Sequence, residues 1–456
     1  MTKSNSSNAG LNRRTFMKSA GVTALAGATA SLAATQASAQ ESPSDSYPRK
    51  ANGRYDFDKV YNRVGSNCSR WDSPPRRYPG GEFKYGMGVA SMDFECAPCI
   101  TEALQERVSH HSWGYLSTTD PLREEIVKWT GEHHGVDLGP DEITLSDGVY
   151  PGVIAALRAF VPIGGKAIIP SPAYSGFYSM ARAANIQTVD SQMKRVNGRY
   201  EFDFDDLEAK MTPDVYALIL CNPQNPTGNV WQQDELLRLG RLALEKNVVV
   251  ISDEIHCDVI RAGQKMVPFA SLPDRDVVNN SVTSTAISKT FNLAGMKCAH
   301  YYSKNATLLS RVNQFHRAEI STLGVAATEA AYKYGREWFD QANAYMDNTH
   351  TMIENFIKQK MPAVGYTRNE GTYMTFLDFS RVMAAIDAKE QAMAHNMRSP
   401  EHYFQDWLVH QSGVYLNPGA DYGAGGEGHM RMNIASSQLV ISDVLEAMAA
   451  TVNKVV

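Results

Sequence analysis

The sequence is poor in the features that define several whole classes of protein. Its 456 residues include only six cysteines, too few for a fold held together by disulfides. The formal net charge is −5, and charges of both signs are mixed along the chain without a basic stripe, so we expect no nucleic-acid partner. No long apolar run follows the N-terminal region, so we expect no membrane anchor in the mature protein.

The N-terminal residues have the pattern of an export signal. The pair Arg13 and Arg14 precedes a weakly apolar run at about residues 19–36, which Gly and polar residues interrupt too often for a stable membrane span. Ala37-Ser38-Ala39 then gives a small-x-small cleavage pattern. We predict a twin-arginine signal peptide over residues 1–39, the twin-arginine machinery as a partner and a periplasmic location, with a disordered tail as the alternative.

Three short pairs of residues resemble fragments of metal or redox sites. Cys96 and Cys99 have no second Cys or His pair at ligand spacing, so we expect unbridged thiols at a helix start, with a local disulfide as the alternative. The neighbours in His110-His111 and in His133-His134 point in divergent directions on a helix or strand. We interpret both pairs as surface histidines and predict no metal site.

The order of the patterns is that of an α/β fold. Helical periodicity alternates with short apolar runs typical of buried parallel strands, at 142–145, 166–169, 186–190, 215–220, 248–251 and 281–286. The chain exceeds the ~250–300 residues at which one core stops growing. We predict a large domain at 91–330 with a mostly parallel, mixed sheet flanked by helices, a smaller α+β domain at 331–456, and an N-terminal segment at 40–90 that packs on the small domain.

Two charged residues directly follow predicted strands. Asp253 stands at a strand end, where a buried carboxylate can keep a pyridine nitrogen protonated, although for this residue taken alone a helix cap is the preferred explanation. Lys289 stands just past another strand end, where its amine can form a Schiff base with an aldehyde cofactor and later act as a base at Cα. A solvated surface lysine is the alternative.

Two turns fall at the same predicted edge of the sheet. Residues 221–228 contain two Asn-Pro steps and a Gly, a rigid turn that would hold Asn225 near a phenolic oxygen or serve the turn alone. Residues 146–151 join a strand to a helix. The backbone amides of Gly148, Val149 and Tyr150 at that helix start could bind a phosphate.

Taken in this order, Gly148, Tyr174, Asn225, Asp253 and Lys289 resemble the site of the fold-type-I pyridoxal-phosphate enzymes of aminotransferase class I/II. The resemblance extends over essentially the whole mature chain. Within this superfamily the chain is similar to the branch of cystathionine β-lyases and cysteine-S-conjugate β-lyases, which includes the maltose-regulon and PatB-type lyases. The stretches that carry this likeness are 91–94, 113–115, 171–174, 252–256, 267–272, 371–373 and 426–433.

The resemblance implies a cofactor, pyridoxal phosphate, and a role for each matching residue. Tyr174 would stack on the cofactor ring, with plain core packing as the alternative, and Tyr115 would reach across a homodimer interface towards the partner's phosphate. Arg431 would bind the α-carboxylate of an amino-acid substrate with its planar guanidinium. Further cofactor contacts would come from His256, Ser288 and Lys297.

The same resemblance implies β-elimination from cystathionine or a cysteine S-conjugate, with release of pyruvate, ammonia and a thiol. Ala286 and Pro418 depart from the patterns of relatives, so transamination between an amino acid and a keto acid is the alternative, and racemisation is a third outcome. A different class, a binding protein or inactive relative on the same scaffold, is disfavoured by the joint presence of Lys289, Asp253, Asn225 and Arg431.

Overall fold

The computed structural model describes residues 49–456, which belong to one compact unit. The signal peptide predicted at residues 1–39 lies outside the described residues, as does the beginning of the predicted segment at 40–90. Within the described range, no helix has both the length and the apolar character that crossing a membrane requires.

The strands, in chain order, are β1 (Tyr85–Gly86), β2 (Ile143–Ser146), β3 (Lys166–Ser171), β4 (Gln187–Gln192), β5 (Lys194–Val196), β6 (Arg199–Glu201), β7 (Val215–Cys221), β8 (Val249–Asp253), β9 (Ser281–Thr285), β10 (Ala299–Tyr302), β11 (Gly365–Tyr366), β12 (Met374–Asp378), β13 (Val414–Tyr415), β14 (Asn417–Pro418) and β15 (His429–Asn433). The α-helices are α1 (Ser69–Asp72), α2 (Pro74–Arg77), α3 (Pro98–Ser109), α4 (Asp120–His134), α5 (Val149–Phe160), α6 (Gly176–Ala183), α7 (Phe204–Lys210), α8 (Gln233–Glu245), α9 (Arg275–Asn279), α10 (Ala306–Asn313), α11 (Thr322–Tyr334), α12 (Arg336–Lys360), α13 (Ser380–Ala385), α14 (Ala388–Ala394), α15 (Pro400–Ser412) and α16 (Gln438–Val452).

Seven strands form the central sheet, in the spatial order β2-β10-β9-β8-β7-β3-β4. All neighbouring pairs are parallel except those of β10, which runs antiparallel to both β2 and β9. The predicted α/β fold with a mostly parallel, mixed sheet is therefore confirmed. All six predicted strands are present with no end shifted by more than two residues, whereas β10 was not predicted.

Helices cover both faces of this sheet because each helix carries one apolar stripe. On one face, Val153 and Leu157 of α5 are completely buried, and on the other face Leu236 and Leu239 of α8 are completely buried. Burial of each such side chain contributes about 1.5–3 kcal/mol relative to leaving it exposed. This packing fixes the sheet, whose carboxyl edge then holds the residues that follow β2, β3, β7, β8 and β9.

A second sheet lies in the C-terminal part of the chain. It is antiparallel, with four strands in the order β11-β12-β15-β14. The described part of the N-terminal segment reaches the same region, because β1 pairs in parallel with β13 and the ring of Phe57 lies 5.6 Å from that of Trp338 in α12. The domain boundaries at residues 91 and 331 stay a prediction.

The interpretation of the two histidine pairs as surface residues is right for one pair and wrong for a member of the other. His110 and His111 are exposed, as is His133. The side chain of His134 is only 10% exposed, and its Nε2 lies 2.8 Å from a carboxylate oxygen of Asp258. A buried ionisable imidazole of this kind needs a partner, which a surface histidine does not.

The cysteines are free thiols and form no disulfide within residues 49–456. Cys96 precedes α3 and Cys99 lies in its first turn, with Ala97 between them in an extended conformation (φ −54°, ψ 139°). The expected unbridged thiols at a helix start are therefore present.

Candidate active site

A cavity of about 510 Å³ opens at the carboxyl edge of the central sheet. Its volume is within the ~300–1,000 Å³ range of small-molecule sites. Every predicted site residue except Tyr115 lines this cavity, although the lining comes from stretches some of which are more than three hundred residues apart along the chain. These residues come together because the carboxyl ends of parallel strands meet at one edge of the sheet.

The amine of Lys289 points into the cavity from the turn that follows β9. Its Nζ donates a hydrogen bond to the backbone oxygen of Ala90 at 2.8 Å. Burial and the nearby positive charge of Arg431 together lower the pKa of Lys289 to about 8, although Asp253 opposes both effects. A lysine whose pKa lies near neutral pH is partly uncharged, so its amine can act as a nucleophile and as a base. The alternative of a solvated surface lysine is not what the structure shows.

Asp253 is the last residue of β8, and it is only 3% exposed. Its Oδ1 accepts a hydrogen bond from the backbone N–H of Ile255 at 3.1 Å, and turns rather than a helix follow it, so it is not a helix cap. Burial raises its pKa to about 7, against the lowering effects of that hydrogen bond and of Lys289. A cationic ring nitrogen in the cavity would favour the ionised carboxylate.

Arg431 enters the cavity from β15 of the second sheet and is 3% exposed. Its Nη1 donates to Oδ1 of Asn225 at 3.1 Å and its Nη2 donates to the backbone oxygen of Gly88 at 2.7 Å. Its Nε is buried without a hydrogen-bond partner among the residues that the structure describes. A buried guanidinium N–H left unpaired costs about 1–3 kcal/mol or more, so this group fits an anionic ligand such as a carboxylate.

Asn225 has a function beyond the turn in which it lies. Its amide oxygen accepts from Arg431, and the other end of the same amide can donate to a phenolic oxygen. The site therefore couples the group that would contact a cofactor ring to the group that would bind a substrate carboxylate.

The start of α5 also lines the cavity. Gly148 precedes the first helical residue, Val149, and the unpaired backbone amides of a helix start attract a phosphate. Ser288 and Lys297 line the same space, with Lys297 in a left-handed conformation (φ 54°). A hydroxyl and an ammonium group therefore lie in the same cavity as the helix start.

Tyr174 and His256 also line the cavity. The ring of Tyr174 contacts Phe177 edge-on at 5.5 Å, so it both lines the cavity and packs on the core. His256 is 2% exposed, and burial lowers its pKa well below the usual value, with Lys289 and Arg431 adding to that effect. Its Nδ1 has no partner within the described part of the chain and is available to a ligand.

Tyr115 is the predicted site residue that lies outside the lining of the cavity. Its side chain is fully exposed in the loop between α3 and α4, and Trp113 in the same loop is 55% exposed. Its predicted contact with a partner's phosphate stays a prediction.

Two contributors to the site were missed from the sequence. The backbone carbonyl oxygens of Gly88 and Ala90 accept hydrogen bonds from Arg431 and Lys289 respectively. Every residue has a backbone carbonyl, so residue type could not indicate these contacts. The neighbouring stretch Ser91-Met92-Asp93-Phe94 was the available signal, because the family resemblance included it.

These groups fit pyridoxal phosphate, the cofactor that the sequence predicts. A buried carboxylate can pair with the ring nitrogen of this cofactor, and a side-chain amide can donate to its phenolic oxygen. The helix start can bind its phosphate, and a lysine of lowered pKa can react with its aldehyde. The residues that would provide these contacts are Asp253, Asn225, Gly148, Val149, Tyr150 and Lys289.

Comparison with known proteins agrees with this geometry. The family model for aminotransferase class I and II matches residues 84–447. Cystathionine beta-lyase PatB of Bacillus subtilis is 34% identical over 402 residues, covering 87% of this chain and all of that protein. MalY of Escherichia coli is 28% identical, covering 83% of this chain and 94% of that protein.

Solved structures give the same result. The PLP-bound C-S lyase from Staphylococcus hominis superposes with a TM-score of 0.78 at 29% identity, covering 88% of this chain and 98% of that chain. Cystalysin from Treponema denticola, which contains pyridoxal 5'-phosphate, superposes with a TM-score of 0.80 at 28% identity, covering 88% of this chain and 99% of that chain. The chain therefore belongs to the aminotransferase class I and II family.

Proposed function

We propose that this protein is a pyridoxal-phosphate-dependent C–S β-lyase that acts on cystathionine or a cysteine S-conjugate. The observation that carries the proposal is that Lys289, Asp253 and Arg431 line one cavity, with a base, a partner for a ring nitrogen and a partner for a carboxylate in one place. The relatives named cystathionine beta-lyase and the C-S lyase structures support this reaction over other reactions of the family.

The reaction requires each of these side chains in a different role. When bound, pyridoxal phosphate supplies an aldehyde carbon that captures the substrate amine and a ring that withdraws electrons from Cα. Asp253 holds the ring nitrogen in its protonated form, and Arg431 holds the substrate carboxylate so that the Cα–H bond faces Lys289. Lys289, with its pKa lowered to about 8, removes the Cα proton.

The electron pair left at Cα forms a double bond to Cβ while the Cβ–S bond breaks and the thiolate leaves. Lys289 would give the proton that it took to the thiolate, and its amine would then displace the product nitrogen from the cofactor. The freed 2-aminoacrylate would take up water to give pyruvate and ammonia. This sequence needs no oxidant and no second substrate other than water.

We expect the holoenzyme to release pyruvate from cystathionine and from an S-alkyl cysteine in the absence of any keto acid. Pyruvate is measured by coupled reduction with lactate dehydrogenase, and the thiol is measured with a chromogenic disulfide. Alanine is the matched control substrate because it has no leaving group at Cβ, so without a keto acid it should give at most one pyruvate per active site.

The opposite pattern would contradict a β-lyase. The aminotransferase alternative, which the family's description favours, predicts amino transfer from the same substrates only when a keto acid is present. Absence of pyruvate from every cysteine conjugate, with keto-acid-dependent transfer intact, would select transamination. Loss of optical activity without either product would select racemisation.

We also propose that the enzyme works as a homodimer whose active sites lie at the interface. The fully exposed Tyr115 and the half-exposed Trp113 support this, because large aromatic side chains are enriched in protein interfaces. Sedimentation equilibrium should give twice the chain mass. If the Tyr115→Phe and Lys289→Ala variants are both inactive, mixed dimers should recover activity, whereas a monomer or the absence of recovery would contradict a shared site.

We propose, finally, that the protein is exported to the periplasm by the twin-arginine machinery. The support is the sequence pattern alone, Arg13 and Arg14 before a weakly apolar run and Ala37-Ser38-Ala39. This route moves folded proteins, so the cofactor would be captured before export. Replacement of both arginines by lysine should leave the activity in the cytoplasmic fraction, and an unchanged distribution would contradict the proposal.

A further inference from the structure

Another buried carboxylate, that of Asp258, lies on the same segment as Asp253 and outside the lining of the active-site cavity. The side chain of Asp258 is only 4% exposed and accepts three hydrogen bonds. The hydroxyl of Thr290 donates at 2.6 Å, Nε2 of His134 at 2.8 Å and Nε1 of Trp129 at 3.1 Å. Two of these donors come from α4, and the third is the residue directly after Lys289.

The charges of this cluster are matched. Burial alone would raise the pKa of Asp258, but His134, Thr290 and Trp129 hold it below its usual value. Burial alone would lower the pKa of His134, yet its neighbours hold it well above the usual value. The thiol of Cys257 has its own pKa raised by burial and is neutral near pH 7, so the anion that stabilises the imidazolium is Asp258.

The cluster contains residue types that can bind a metal ion, but its geometry favours a set of hydrogen bonds that holds Asp258 in place. Ligand atoms of His134, Cys257 and Asp258 lie within 4.8 Å of one another. The carboxylate of Asp258 and Nε2 of His134 already bind each other, and a metal ion would have to displace Thr290 or the imidazole. The adjoining cavity, of about 20 Å³, has room for about one water molecule.

We propose that Asp258 is a positioning residue for Lys289. Lys289 lies in a run of turns after β9, where the backbone N–H of Phe291 donates to Ile287 and that of Leu293 donates to Ser288. Thr290 is 1% exposed, and its hydrogen bond to Asp258 fixes the orientation of the turn. Because Thr290 directly follows Lys289, this bond also fixes the direction in which the lysine side chain leaves the turn.

The same short segment therefore carries the carboxylate for the ring nitrogen and supports the turn that holds the reactive lysine. Asp253 faces the cavity, and Asp258, five residues later, faces the turn that carries Lys289. Helix α4 holds Asp258 from behind through Trp129 and His134. A shift of Thr290 away from this support would misalign the amine relative to the ring-nitrogen partner. The inference rests on the role of Lys289 in the proposed function.

The experiment compares Thr290→Val, which removes the hydroxyl at nearly constant shape, with Thr290→Ser, which keeps it. In Thr290→Val we expect kcat for β-elimination to fall about tenfold, because misplacement of a catalytic group by an ångström can cost up to about a hundredfold. The rate at which the apoenzyme captures pyridoxal phosphate, followed by visible absorbance, should fall similarly, while KM changes by less than about twofold. Thr290→Ser should restore both rates.

Cys257→Ala is the matched control in the same cluster, because Cys257 makes no hydrogen bond to Thr290 among those found in the described residues. It should leave kcat and the capture rate unchanged. Wild-type rates in Thr290→Val, or equal losses in the Val and Ser variants, would overturn the inference. Stoichiometric metal in the purified holoenzyme that is lost in Cys257→Ala would also overturn it in favour of a metal site.

The result is separable from failure of the proposed function. Lys289→Ala tests whether that lysine carries the cofactor at all. If Lys289→Ala loses the visible band and Thr290→Val behaves as the wild type, only the positioning role fails. If Lys289→Ala keeps the band, the role of Lys289 itself fails.

Discussion

Replacement of Lys289 by alanine should abolish both the visible absorbance of the holoenzyme and its β-elimination. In the proposed function this amine both captures the cofactor aldehyde and moves the Cα proton, so kcat should fall by about 10⁴-fold or more. The absorbance spectrum after incubation with pyridoxal phosphate and the rate of pyruvate release measure the two effects separately.

Lys297→Ala is the matched control, because Lys297 is a second lysine in the same cavity. It should weaken the affinity for pyridoxal phosphate through loss of a phosphate contact while the visible band survives at saturating cofactor. If the band disappeared in Lys297→Ala and persisted in Lys289→Ala, the two lysines would have exchanged roles.

Replacement of Arg431 by lysine should leave the visible band intact and lower kcat/KM for cystathionine by about 100-fold to 1,000-fold. An ammonium group cannot reproduce the planar guanidinium that contacts Asn225 and Gly88 and presents an unpaired Nε to the cavity. Loss of one partner of a buried, hydrogen-bonded charge pair costs about 2–5 kcal/mol, which corresponds to this range of rates. Steady-state kinetics measure it.

A substrate analogue without the α-carboxylate is the sharp control for Arg431. Wild type and Arg431→Lys should process the S-conjugate of cysteamine at similarly low rates, because the analogue offers nothing for the guanidinium to bind. A persistent 100-fold difference on the decarboxylated analogue would show that Arg431 acts through the structure of the site and not through the carboxylate.

The positions of Asp253, Asn225 and Lys289 could be predicted from the sequence because each lies at or just past the end of a buried apolar strand. Parallel strands bring their carboxyl ends to one edge of the sheet, so the apolar runs in the sequence were enough to predict that these side chains lie close together. Strand β10 could not be found in this way. Its residues, Ala-His-Tyr-Tyr, form a run too short and too mixed for periodicity to identify.

The environment of His134 could not be predicted because its partner is remote along the chain. Asp258 lies 124 residues away, and no local pattern near His134 indicates a buried carboxylate. The same limit applies to the carbonyl of Gly88, which meets Arg431 across 343 residues. Sequence patterns locate side chains on elements, whereas contacts of this range depend on how the elements pack.

The contact between Gly88 and Arg431 has a consequence for the timing of assembly. At a synthesis rate of about 5–20 residues per second, roughly 17–70 seconds separate the emergence of the two residues from the ribosome. Strand β15 must then pair with β12 and β14 before the guanidinium reaches the cavity. A nascent chain therefore already contains Lys289 and Asp253 before Arg431 has been made, and selection by the substrate carboxylate begins only when β15 is in place.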